Sequence, residues 1–341
     1  MIRKYPFLVM AILLTAALLL SIGLGAVRIP VGEIVRIISG QLFNPAHNAA
    51  AGNAMDVILL SVRLPHTILV MLTGAALASS GAAYQGLFRN PLSDPYLIGV
   101  ASGAGLGAVA MMSLHGMHSL LGYYLIPLGA FAGAILTVVL VYQLAHVNEM
   151  VPLTTLILAG VAFGSFASAL TSFLMLRDDG TVYRAIAFLM GGSPIAGWQP
   201  VLAVLPFMLI GMGSLSLSGH ILNVLQFGEE EARQMGLDVD KAKILVIIAA
   251  SMTTAVAVAF SGVIGYIGLI VPHIIRLVWG PDYKRLIPLA ILGGAVTLLL
   301  SDVLARVLIA PSTIPVGIVT ALAGTPFFLY ILRRAKREVF W

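Results

Sequence analysis

The chain has 341 residues, of which 60% are hydrophobic and 10% charged, with a formal net charge of +5 and a mean hydropathy of +1.02. A soluble domain is about a quarter charged, so the 19 basic and 14 acidic side chains here cannot clothe a water-soluble globule of this size, and a disordered polar chain is excluded with it. The lack of cysteine removes disulfides, thiolate metal sites and a Cys nucleophile, which leaves an integral membrane protein.

A helix that crosses the roughly 30 Å hydrocarbon core needs about 20 apolar residues, because lipid offers its backbone no hydrogen-bond partner. Stretches free of Asp, Glu, Lys and Arg run over 5–27, 64–88, 95–148, 150–176, 185–228, 244–275, 286–301 and 307–332. Residues 95–148 are too long for one crossing and divide at Ser113-Leu114-His115-Gly116-Met117-His118. The stretch 185–228 opens with a short segment ending at Gly191-Gly192-Ser193-Pro194, then holds one span. Gly262, Gly265 and Gly268 punctuate 244–275, which holds more than one. The expected fold is all-α and polytopic, with ten transmembrane helices near 6–27, 64–84, 96–113, 120–146, 152–176, 197–217, 243–261, 264–280, 285–309 and 314–332. The first follows Arg3 and Lys4 but exceeds the about 7–15 apolar residues of a signal-peptide core, so it is expected to remain as an anchor.

An even number of spans puts both termini on one side. With both termini cytoplasmic, the inner segments hold 13 Lys and Arg, including all five lysines, and the outer segments six. The basic pI therefore reflects topology and implies no nucleic-acid partner.

The longest inner loop, near 218–242, carries Gly228-Glu229-Glu230-Glu231-Ala232-Arg233-Gln234-Met235-Gly236. Three acids suit the positive end of a helix dipole, and Gly236 suits the left-handed residue that closes it. Two roles fit: a solvated connecting helix, or a docking helix whose apolar face (Leu225, Ala232, Met235) enters a groove on a cytoplasmic partner. Arg89-Asn90-Pro91-Leu92-Ser93-Asp94-Pro95 is expected to form a tight, non-helical turn on the same side. Asp302 and Arg306, four apart on one helix near its outer end, share a face and can pair.

No isolated Asp or Glu falls near the middle of an expected span, which weighs against proton or sodium coupling. No G-x-x-x-x-G-K-[ST] loop is present, so an ATPase that drove transport would be another chain. The seven histidines form no tight ligand cluster; His115 and His118 are merely three apart in an expected outer loop. Ser80-Gly81 precedes Pro91 by the interval at which Ser261-Gly262 precedes Pro272, as in an inverted repeat.

Several blocks in order then carry a family resemblance. They are Arg63-Leu64-Pro65, Gly74-Ala75-Ala76-Leu77-Ala78, Gln85-Gly86, Arg89-Asn90-Pro91-Leu92, Asp94-Pro95 and Leu97-Ile98-Gly99-Val100. SGVIGYIGLIVPHIIRL follows at 261–277 and TIPVGIVTALAGTPFF at 313–328. With GEEEARQMG at 228–236, the chain resembles the FecCD family of ABC-importer permeases, type II importers for iron–siderophores, haem and cobalamin.

The resemblance implies one transmembrane permease domain over 1–341 in a bacterial or archaeal cytoplasmic (inner) membrane, dimeric and expected to be a homodimer. Its partners are two cytoplasmic ABC ATPases, an extracytoplasmic substrate-binding protein and membrane lipid. It further implies a chain that catalyses no chemistry and binds no cofactor, with ATP and Mg on the partner ATPase. The segment 218–240 matches the coupling region, with Gly228, Glu229, Glu230, Glu231, Ala232, Arg233 and Gly236 at the ATPase contact. Arg63 and Arg306 match positions that meet glutamates of the binding protein. His66 stands where the family often has a further Arg, which removes that contact or makes it pH-dependent. Thr154, Thr155 and Leu158 match the gate region of the fifth helix, where Gly160, Gly164 and Ser165 permit close helix contact. The rivals are a gradient-driven secondary transporter acting alone and a channel or structural membrane protein.

Overall fold

Long charge-free runs can satisfy their backbone in lipid only as helices, and every regular element among the described residues is helical. The computed structural model describes residues 4–25, 27–43, 54–114, 120–146, 151–177, 179–192 and 197–338. In chain order the helices are α1 (Pro6–Gly23), α2 (Val31–Phe43), α3 (Ala54–Leu87), α4 (Val100–Ser113), α5 (Leu120–Ala145), α6 (Leu153–Leu176) and α7 (Asp179–Leu189). They continue as α8 (Trp198–Leu217), α9 (Gly219–Leu225), α10 (Glu229–Gln234), α11 (Val239–Ser261), α12 (Ile267–Trp279), α13 (Tyr283–Val307) and α14 (Val316–Glu338). Seven are long and apolar enough to cross a membrane (α1, α3, α5, α6, α8, α11 and α13), and α4, α12 and α14 are shorter apolar helices. Together these occupy the ten segments read from hydropathy.

The structure differs from that reading in three places. Helix α2 was not anticipated, because Glu33 and Arg36 interrupt the apolar run and pair on one face. Helix α3 begins at Ala54 rather than near 64, through a π-helical stretch Ile58–Arg63. The Arg63 charge does not end it, since the guanidinium is met by the carbonyls of Ile22 (2.7 Å) and Val27. Finally, the Ser-Gly echo does not mark equivalent positions. Gly81 lies in the middle of α3, while Gly262 caps the end of α11 with φ 76°.

Helix α3 is the centre of the bundle, buried almost without interruption from Leu69 to Leu87. Small residues let other helices reach its backbone. A Cβ on Gly74 would lie 2.3 Å from the Gly294 carbonyl oxygen of α13, and one on Gly81 would lie 1.9 Å from that of Gly268 on α12. Thr73 and Ser261 hydroxyls meet at 2.6 Å, tying α3 to the end of α11.

The segment after α3 forms the expected tight turn. Asn90 Oδ1 accepts from the Leu92 N–H at 2.9 Å, and Asp94 caps a 3₁₀ turn at Pro95–Ile98 by accepting from the Tyr96 N–H at 2.8 Å. The Tyr96 hydroxyl donates to the Ile264 carbonyl at 2.8 Å, which fastens this loop to the α11–α12 connection.

Burial pushes the Asp94 carboxyl up to about 6 from its ordinary 3.8, against the pull of the Tyr96 N–H bond. The folded state therefore binds this proton more tightly than the unfolded chain, and stability from this group is lost as pH rises from about 4 to about 6. Asp94→Asn keeps the cap and removes the titration. In detergent, the wild-type unfolding temperature should rise relative to Asp94→Asn when the pH is lowered from about 7.5 to about 5. A constant difference between the two proteins across that range would refute the account.

Candidate functional site

Ionic and polar side chains collect at two opposite ends of the bundle, separated by the length of α13. At one end, the α9–α10–α11 segment is built from its glycines upward. Gly228 sits at φ +124°, a backbone conformation that L side chains rarely adopt, so glycine lets α10 start as it does. Gly236 takes the left-handed turn expected of it (φ +86°), with the Leu237 N–H bonded back to the Ala232 carbonyl at 3.0 Å.

The seat of α10 is apolar: Leu222 and Ala232 are fully buried and Leu225 nearly so. This corrects the anticipated docking face. Ala232 and Leu225 fill the chain's own core and offer no surface to a partner, whereas Met235 (60% exposed) and Phe227 (68%) stand out beside Glu230, Glu231 and Arg233.

Glu229 also turns inward. Its carboxylate lies 2.5 Å from the ammonium of Lys243, a buried residue one turn into α11. Arg233 reaches Asp240 at 3.0 Å, and Asp238 caps α11 while pairing with Lys241 at 2.8 Å. The hydrogen bond from the Lys241 side chain holds the Asp238 carboxyl below its ordinary value. Two ion pairs thus fasten α10 to α11.

A second polar chain at this end escaped the sequence reading. Asn223 on α9 donates to Asp282 at 2.6 Å and accepts from the Tyr283 N–H at 2.8 Å. The Tyr283 hydroxyl accepts from Arg276 (3.1 Å), which also donates to Gln85 Oε1 (2.9 Å), and Gln85 Nε2 donates to the Leu269 carbonyl (3.1 Å). This links α9, α13, α12 and α3. The available signal in the sequence is a lone Gln within the apolar α3.

At the opposite end, Asp302 and Arg306 pair as their spacing predicts, Arg306 Nη2 lying 2.8 Å from Asp302 Oδ2. Arg306 also donates to the Leu24 (3.0 Å) and Ser21 (3.1 Å) carbonyls at the end of α1. His66 Nε2 lies 2.9 Å from Asp302 Oδ1. Arg63 is only 8% exposed. Neither arginine is thus a freely exposed fork, because Arg63 donates to the Ile22 and Val27 carbonyls and Arg306 to the carbonyls that end α1. The surface that remains open is a cavity of about 370 Å³, lined by His66, Tyr183, Arg184, Asp302, Arg306 and Thr313 among others.

Helix α6 packs inward through Leu156, Gly160, Ala167 and Thr171 and leaves its other face uncovered within this chain. Thr154 and Leu158 lie on the exposed side and Thr155 is half-buried. The hydroxyls of Ser165 and Ser172 bond to carbonyls one turn back on the same helix.

Among the described residues no group of three or more His, Cys, Asp or Glu could hold a metal ion. His115 and His118 lie outside the described residues.

The profile of the FecCD transport family matches residues 13–334. The cobalamin import system permease BtuC of Halobacterium salinarum is 40% identical over 342 residues, covering 98% of this chain and 90% of that protein. The hemin transport system permease HmuU of Yersinia pestis is 37% identical over 349 residues, covering 98% of each. A solved metal-chelate-type ABC transporter in an inward-facing conformation superposes with a TM-score of 0.79 at 30% identity, over 96% of this chain and 97% of its own. With sequence, fold and hydropathy in agreement along nearly its whole length, the chain belongs to the FecCD transport family and is a multi-pass transport permease of an ABC importer.

Proposed function

We propose that this chain is the membrane-spanning subunit of an importer for a metal chelate (iron–siderophore, haem or cobalamin). It works as a homodimer, with two ABC ATPases seated at the α10 end and a substrate-binding protein docked at the Arg63–His66–Arg306 end. Both termini then face the cytoplasm. The chelate passes between two copies along the uncovered face of α6, past Thr154, Thr155 and Leu158. ATP and Mg remain on the ATPases, this chain performs no chemistry and binds no cofactor, and residues 1–341 act as one permease domain.

The observation that carries the reading is the construction of α10. A surface of Phe227, Glu230, Glu231, Arg233 and Met235 faces outward, while Glu229 and Ala232 bind the same helix to α11. Movement imposed by a partner on that surface passes directly into a spanning helix. Alternating access follows: ATP closes the two ATPases, the paired α10 helices are drawn along, and the inner ends of the bundle part or meet.

Charge reversal of Glu230 and Glu231 to Lys should weaken ATPase recruitment and lower chelate uptake at least about ten-fold, since it inverts the charge of the surface that the partner is proposed to complement. Co-purification of the ATPase and uptake into proteoliposomes are the readouts. Wild-type levels of both would refute the coupling assignment, and uphill transport by this chain alone would refute the importer reading altogether.

A further inference from the structure

We propose that Asp302 is a positioning residue for docking: a built-in counter-ion that occupies Arg306 and His66 until a carboxylate of the substrate-binding protein takes its place. The inference rests on the docking reading above. Asp302 is 5% exposed and uses both oxygens, Oδ1 toward His66 Nε2 at 2.9 Å and Oδ2 toward Arg306 Nε at 2.9 Å and Nη2 at 2.8 Å. The other edge of the guanidinium is engaged as well, Nη1 by the Leu24 carbonyl and Nη2 by the Ser21 carbonyl, so a carboxylate that takes the paired grip on Nε and Nη2 must displace Asp302.

Two further observations separate this cluster from an ordinary structural ion pair. It is not sealed, because His66, Asp302 and Arg306 all line the 370 Å³ cavity, and the His66 side chain is 44% exposed. Nor is it neutral. Arg184 and Arg306 line the cavity with Asp302 as the acid among its lining residues, and Arg63 lies close to Arg306 outside that lining: a Cβ on Gly25 would lie 3.0 Å from one guanidinium (Arg63) and 3.4 Å from the other (Arg306). An acidic group entering the cavity thus meets excess positive charge even with Asp302 in place.

The exchange has a mechanical consequence. His66 is on α3 and Asp302 on α13, so their bond ties two helices whose backbones also touch at Gly74 and Gly294. Arg306 meanwhile holds the carbonyls that end α1. When a docking carboxylate captures Arg306 and His66, Asp302 lets go and α13 is freed from α3 and from the end of α1, while Arg63 still holds α1 to α3 through the Ile22 carbonyl. Docking and opening of that end become one event.

The test uses the full permease–ATPase complex in nanodiscs and its cognate binding protein. Asp302→Asn keeps an oxygen acceptor and removes the competing charge, so docking should tighten about ten-fold. A residue with a merely structural role would weaken docking or leave it unchanged, and either result overturns the proposal. In an Arg306→Gln background the gain from Asp302→Asn should vanish. If Arg306→Gln by itself leaves docking unchanged, the docking assignment fails. If Arg306→Gln weakens docking but Asp302→Asn does not tighten it, only the counter-ion role fails. Should Asp302→Asn not fold, Asp302→Ser, which leaves room for water beneath the guanidinium, is expected to tighten docking in the same way, with the same overturning results.

Discussion

Gly81→Ala is expected to lower the stability of the permease in detergent by about 1–3 kcal/mol, and larger side chains there should prevent folding. The added methyl would sit 1.9 Å from the Gly268 carbonyl oxygen, and the obstacle is backbone rather than a side chain that can swing aside. Nor can α3 retreat. Seven residues earlier on the same face, Gly74 makes the matching approach to Gly294 of α13, so a shift that relieves one contact disturbs the other. Lipid gives no hydrophobic incentive for helices to associate, so close backbone packing of this kind carries a large share of the cohesion. Gly32→Ala in α2 is the control, since nothing lies within 4 Å of its Cβ position. That variant should match or slightly exceed the wild type through better helix propensity. Equal unfolding temperatures for Gly81→Ala and Gly32→Ala would show that the crossing is not as close as described.

The second large effect is expected at Glu229. Glu229→Ala leaves the Lys243 ammonium, 7% exposed, without the carboxylate 2.5 Å away. Removing one partner of a buried pair costs about 3–5 kcal/mol, and the one-third exposure of Glu229 lowers that to about 2 kcal/mol. Lys243→Met should cost less, because the Glu229 carboxylate can turn to water. The double variant Glu229→Ala, Lys243→Met should recover most of the lost stability yet keep a coupling defect, with ATP hydrolysis persisting while uptake falls. That separation follows from the proposed coupling role of α10: the pair is the more buried of the two ion pairs that join α10 to α11, and an apolar replacement restores packing without restoring the ionic tie. If the double variant is no more stable than Glu229→Ala, the buried charge is not the source of the loss.

These cases show what hydropathy could and could not disclose. The ten apolar segments were legible because lipid imposes one requirement on every span, a run of apolar residues with an internally satisfied backbone, and composition reports this directly. The start of α3 was misplaced for the same reason: Asp56 and Arg63 read as the end of a run. Local chemistry was legible wherever a residue type dictates its own conformation. Gly236 closed α10, Asn90 and Asp94 made the turn after α3, and Asp302 met Arg306 one helical turn away.

Direction was another matter. Ala232, Glu229, Arg63 and Arg306 were all picked out from the sequence, but whether each side chain faces a partner or its own fold depends on residues distant in the chain. Lys243 claims Glu229, the carbonyls of Ile22 and Val27 claim Arg63, and Asp302 with the end of α1 claims Arg306. The Asn223–Tyr283–Arg276–Gln85 chain likewise joins four helices that no local pattern connects. One-dimensional chemistry thus settles that this is a membrane-embedded helical bundle and where its spans and turns fall, since those depend on each segment's own solvent and backbone. Which charges are consumed inside the bundle and which stay available to other proteins depends on packing partners, because an ionic group inside the fold must be paired, and its partner is chosen by space rather than by sequence order.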